Sequence, residues 1–98
     1  MTAREWVDMV ADEAEEAIIV ADGYDNAIIG IGRQPDGVPV VVYDRAKVIG
    51  IIRSMQENPE ADDAWESAEE HFEFNVVRSL PYVGAGAPMF VELPPGDE

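Results

Sequence analysis

Cysteine is absent from the chain. That excludes disulfides, thiolate metal centres and a cysteine nucleophile, and removes any need for an oxidising compartment. Long apolar runs are missing too. The longest, such as Val38 to Tyr43, fall far short of the ~20 residues that span a bilayer. The N-terminus, Met-Thr-Ala-Arg-Glu-Trp, carries acid where the apolar core of a signal peptide would lie. The expected location is therefore the cytoplasm. Basic residues are scarce: six Lys and Arg face 21 Asp and Glu, for a net charge of −15. Nucleic acid and anionic lipid would both repel such a chain, so neither is an expected direct partner. Histidine occurs once, as His71.

The acids that are present fall into two short segments. Residues 1–25 carry eight carboxylates against Arg4 alone, and residues 57–73 carry eight more with no Lys or Arg. Between them, 26–56 has a net charge of +2, from Arg33, Arg45, Lys47 and Arg53 against Asp36 and Asp44. The charge therefore sits on two acidic surfaces of a near-neutral body. The chain has 98 residues, the size of one domain, and 47% of them are apolar, an ordinary share for a folded protein. We expect a single domain over 1–93 and a flexible acidic tail over 94–98.

The periodicities predict an α+β domain in the order α-β-β-α-α-β, with helices on one face of a small antiparallel sheet of about three strands. Trp6, Val7, Val10, Ala14, Ala17 and Ile18 recur at helical spacing, so 3–18 reads as an amphipathic helix with Thr2 as its N-cap. Ala27 to Gln34 and Val38 to Tyr43 read as a hairpin around the turn Gln34-Pro35-Asp36-Gly37. Pro39 donates no ladder bond, so its end of the strand should lie at an edge or bulge. Gly30 and Gly32 leave space for a packed helix or a close backbone approach. Asp44 should cap a well-buried helix over 45–56, and a third helix should run over 62–77 with Ala64, Trp65, Ala68, Phe72 and Val76 inward. Met89 to Leu93 reads as the last strand.

Four phrases occur in order: DGYDNAIIGIG over 22–32, VVVYDRAKVIGII over 40–52, EEHFEFNVV over 69–77 and YVGAGAPMFVE over 82–92. Together they resemble a group of small proteins of tailed phages and prophages. In that group a D-D-A-I-x-G-like strand precedes a Y-D-x-x-K helix start, an E-E-A-x-x-F-x-x-N helix and a Y-x-G-x-x-T-P ending. Asp25-Asn26-Ala27-Ile28, Tyr43-Asp44 with Lys47, Phe72 with Asn75, and Tyr82 with Gly84 and Pro88 stand at matching places. Ala87 stands where the group often has Thr. The resemblance implies a phage origin and a similar α+β fold, and supplies no activity.

The acidic faces are the leading candidate site: Asp8, Asp12, Glu13 and Glu16 on the first helix, and Asp62, Asp63, Glu66, Glu69, Glu70 and Glu73 on the third. Asp8/Asp12, Asp12/Glu16, Asp62/Glu66, Glu66/Glu70 and Glu69/Glu73 are like-charged pairs four apart. Each should cost ~0.2–0.5 kcal/mol of helix stability. Folding does not require them, so either a basic partner or simple solvation accounts for them. Arg33, Arg45, Lys47 and Arg53 form the alternative site, a neighbourhood suited to an anionic ligand such as a nucleotide. Their other role would be to neutralise the acidic helices.

No pattern supports a metal centre or a cofactor. His71 and Glu73 are two apart on a helix and point in different directions, and no H-E-x-x-H or E-x-x-H pair exists. None of Ser54, Ser67 and Ser79 sits in a nucleophile-elbow context. Phe72 and Phe74 cannot both face inward on one helix, so one is left for an interface, which is compatible with a homodimer. The expected function is therefore non-enzymatic. It is that of a phage accessory protein that engages a basic surface of a host protein, such as a nucleic-acid-binding or defence protein, by charge mimicry. Sequestration of an anionic nucleotide and a structural or assembly role in the particle are the two other readings.

Overall fold

The computed structural model describes residues 1–15, 18–21, 23–35, 37–80 and 86–94. Glu16, Asp22, Asp36, the 81–85 segment and the expected tail beyond Pro94 lie outside them. The fold is α+β. Helix α1 spans Ala3–Ala14, and a 3-10 turn over Asp25–Ala27 leads into strand β1, Ile28–Arg33. Strand β2, Pro39–Asp44, runs directly into α2, Arg45–Ser54. Helix α3, Ala64–His71, continues as a π-turn over Phe72–Val76 and a 3-10 turn over Val77–Ser79, and β3 is Met89–Val91. Among the described residues no helix is long and apolar enough to cross a membrane.

Thr2 caps α1 through a full capping box. Its hydroxyl accepts from the Glu5 amide at 3.1 Å, and the Glu5 carboxylate accepts from the Thr2 amide at 2.9 Å. The helix stops at Ala14 rather than reaching Ile18 as expected. Glu15 closes it in a left-handed conformation, φ 54°, and the last turn holds no basic residue. Asp12 and Glu13 face the negative end of the helix dipole there, which weakens further winding. The chain then drops into a non-helical segment whose Ile18, Val20 and Ala21 pack on the core. The Ala21 amide donates to the Tyr43 hydroxyl at 2.8 Å and so ties that segment to β2.

The β1–β2 hairpin forms as expected. The Gly37 amide donates to the Gln34 carbonyl at 2.7 Å, and Gly37 takes φ +87°, a value that suits glycine. Arg33 pairs with Pro39, while β3 pairs only with Val42 to Asp44. Among the described residues no strand therefore asks Pro39 for an amide on its outer side. Ile28 pairs with Tyr43 and Gly30 with Val42, which leaves Ile29 as the extra residue of a bulge. A Cβ on Gly32 would meet the Val42 side chain at 3.4 Å, whereas one on Gly30 would meet nothing within 4 Å. The close approach expected at the two glycines is thus a side-chain contact at Gly32 only.

The sheet order is β1-β2-β3, and it is mixed rather than antiparallel, because β3 runs parallel to β2. The physical reason is the connection. Two helices lie between β2 and β3, and a crossover of that length returns the chain in its original direction. Val41 and Tyr43 of β2 share one buried cluster with Val7, Val48, Ile49, Ile52, Ala68 and Phe72, so all three helices bury against the same core. Phe90 of β3 stacks on Tyr43 at 5.3 Å and meets Phe72 edge-on at 5.1 Å, closing that core.

The third helix differs most from expectation. It begins at Ala64 rather than Asp62, with Asp63 at its N-cap making no side-chain cap bond. From Phe72 it widens into the π-turn. The inward stripe here recurs every four residues: Ala64, Ala68, Phe72 and Val76. In an α-helix each four-residue step overshoots a full turn by about 40°, so the stripe drifts around the axis. A wider turn brings Val76 back beneath Phe72, and the Asn75 side chain donates to the His71 carbonyl at 3.2 Å. Trp65, expected inside, is 40% exposed. Ala64 and Ala68 make the buried contacts of α3, and α3 packs chiefly on α2. Small residues there let the two helices approach closely and leave no room below for an indole.

Candidate functional site

The acids of α3 and of the turns that flank it divide into two sets. Glu69 and Glu73 turn toward Arg45 at the start of α2. Arg45 Nη2 donates to Glu73 Oε2 at 3.2 Å, and Nη1 lies 3.9 Å from Glu69 Oε2. The same guanidinium sits 5.3 Å from the centroid of the Phe72 ring. One arginine thus neutralises a like-charged pair and covers a core aromatic. Asp62, Asp63, Glu66 and Glu70 are exposed, and among the described residues none of them meets a cation.

Arg45, Glu66, Glu69, Glu70, Glu73 and Phe74 line one open concavity of about 500 Å³. Its walls hold four carboxylates against one guanidinium. Phe74 contributes the apolar part and is 58% exposed. Because Phe72 takes the inward position, the residue two further on is directed out. Phe74 is thereby the outward member of the pair.

The acids of α1 lie elsewhere. This helix packs on β1, β2 and the 3-10 turn, whereas α3 packs chiefly on α2, so the two acidic helices do not form one packed pair. Asp8 is paired with Arg4 at 3.6 Å, and Arg4 also reaches Asp25 at 3.5 Å. Asp12 and Glu13 are exposed.

The four basic residues of the middle segment are not brought together. Arg33 is exposed at the turn end of β1, opposite Pro39. Arg45 follows the far end of β2, about 20 Å away along the strand. Arg53 Nε donates to the Pro59 carbonyl at 3.0 Å. Lys47 lies on the outer side of α2, in a depression of its own with Asn26, Ala46, Gly50, Ile51 and Ser54. Arg45 neutralises carboxylates and Arg53 bonds a backbone carbonyl, and the four share no common site.

His71 is exposed, and its Nδ1 lies 3.3 Å from the Asn75 side-chain nitrogen. Among the described residues no three His, Asp or Glu side chains converge as a metal site would require. Neutralisation of the acidic helices was one of the two roles the sequence left open for Arg45, but its partners were not legible because they are distant in the chain: Glu73 is 28 residues away. Asp44 was the legible neighbour. It accepts from the Ala46 and Lys47 amides and starts α2. No family model matches the chain, and neither does any curated protein or solved structure.

Proposed function

We propose that the protein acts by binding and that the outer face of α3 docks a basic surface of a protein partner. The observation that carries this reading is the division of the α3 acids. Glu69 and Glu73 are compensated inside the molecule, while Glu66 and Glu70, one helical turn apart, remain uncompensated among the described residues. A like-charged pair at that spacing costs helix stability. A cationic partner converts that cost into attraction. The resemblance to tailed-phage proteins supplies the setting, in which the partner is a host protein and the charge imitates its anionic ligand. Because α1 and α3 do not pair, the mimicry is that of one acidic face and not of a two-helix duplex.

The test is capture from host lysate with the wild-type protein and with a triple variant, Asp62→Lys, Glu66→Lys and Glu70→Lys. These positions avoid the Arg45 pairs, so the fold is preserved. Wild type should retain a basic protein at low salt and release it at high salt, since surface attraction is screened within about 8 Å near physiological ionic strength. The variant should not retain it. Equal retention by both proteins would remove α3 from the mechanism.

A further inference from the structure

The concavity on α3 is not only acidic. Its exposed apolar element is the Phe74 ring, and the Arg78 guanidinium lies over that ring, 4.6 Å from its centroid. Beside it, Arg45 lies over Phe72 and against Glu69 and Glu73. Twice, then, this segment seats a guanidinium on a phenylalanine, and once it adds two carboxylates. Phe74 remains 58% exposed with Arg78 in place, and Glu66 and Glu70 stand on the same wall with no cation among the described residues.

We propose that the groove bounded by Glu66, Glu70 and Phe74 receives an arginine side chain of the partner, so that this face selects arginine-rich over lysine-rich basic segments. The inference rests on the reading of α3 as a docking face and names the chemistry that the face prefers. Charge complementarity identifies the occupant as cationic, because four carboxylates outweigh the Arg45 guanidinium in the groove and the Arg78 guanidinium beside Phe74. The aromatic makes the distinction between cations. A guanidinium is planar and weakly hydrated; it stacks on a ring and donates to a carboxylate from its edge at the same time. An ammonium is compact and strongly hydrated and gains less from the ring. Glu66 and Glu70 are neighbours on the helix surface, about 5–6 Å apart at Cβ, close enough to meet one guanidinium between them.

The experiment titrates the full chain with an oligo-arginine peptide and an oligo-lysine peptide of equal length, at physiological salt, by calorimetry. The arginine peptide should bind more tightly by roughly two- to fivefold, the range for one exposed cation–π contact. Phe74→Leu should remove that difference and leave the lysine peptide unchanged; a retained circular-dichroism spectrum would verify its fold. Equal affinities in the wild type, or a preference that survives in Phe74→Leu, would overturn the proposal. If both peptides bind equally and both are lost in Glu66→Gln/Glu70→Gln, arginine selection fails while the acidic docking face stands. If neither peptide binds, both fail.

Discussion

Replacing Glu70 by lysine should move stability and binding in opposite directions. In the folded protein Glu66 and Glu70 form the like-charged pair that lies wholly within α3, and both side chains are exposed. Glu70→Lys removes a repulsion worth ~0.2–0.5 kcal/mol and installs an attraction of similar size, with Glu on the favourable N-terminal side. The sum is a gain of about 0.4–1 kcal/mol. For a domain of this length 1 kcal/mol corresponds to ~4–8 °C, so Tm should rise by about 2–8 °C. Thermal denaturation by circular dichroism at low salt reads this directly. The gain should shrink as salt is added, because both side chains are solvated. Docking of a basic partner should weaken in the same variant. An unchanged or lower Tm would refute the premise that the pair strains the helix. A higher Tm with unaltered partner binding would refute the premise that the strain serves docking.

Three further outcomes follow from the packing. Gly50 lies within α2, and a Cβ at that position would meet nothing within 4 Å, so Gly50→Ala should stabilise by about 0.5–1 kcal/mol through helix propensity in a urea titration. Tyr43→Phe removes the acceptor for the part-buried Ala21 amide; it should cost about 0.5–1.5 kcal/mol and speed amide exchange at Ala21. Ala68 is fully buried where α3 faces the core, so Ala68→Leu should overpack that contact and lower stability by roughly 1–3 kcal/mol, read from the urea midpoint.

Local chemistry made much of the fold legible. Thr2 and Asp44 were readable as caps because a short side chain with an oxygen acceptor precedes each helical stripe, and both caps form. The hairpin was readable because proline and glycine set backbone angles within four residues. Two features were not readable. The end of α1 depends on the Ile18 to Ala21 segment packing on the core, which competes with helix continuation. The widening of α3 depends on keeping Phe72 and Val76 over the same neighbours. The acidic character of the site was legible, but its division was not.

By itself the amino-acid sequence determined the elements with local causes: the starts of α1 and α2, the hairpin, the α+β class and the excess of acid over base. Only the tertiary structure decided which acids are available and which are spent on Arg45. It also decided that β3 lies parallel to β2, that the two acidic helices do not pair, and that Trp65 stays outside the core. The physical reason is range. Caps, turns and periodicity act within a few residues, whereas charge pairing and burial depend on which distant segments the core brings into contact.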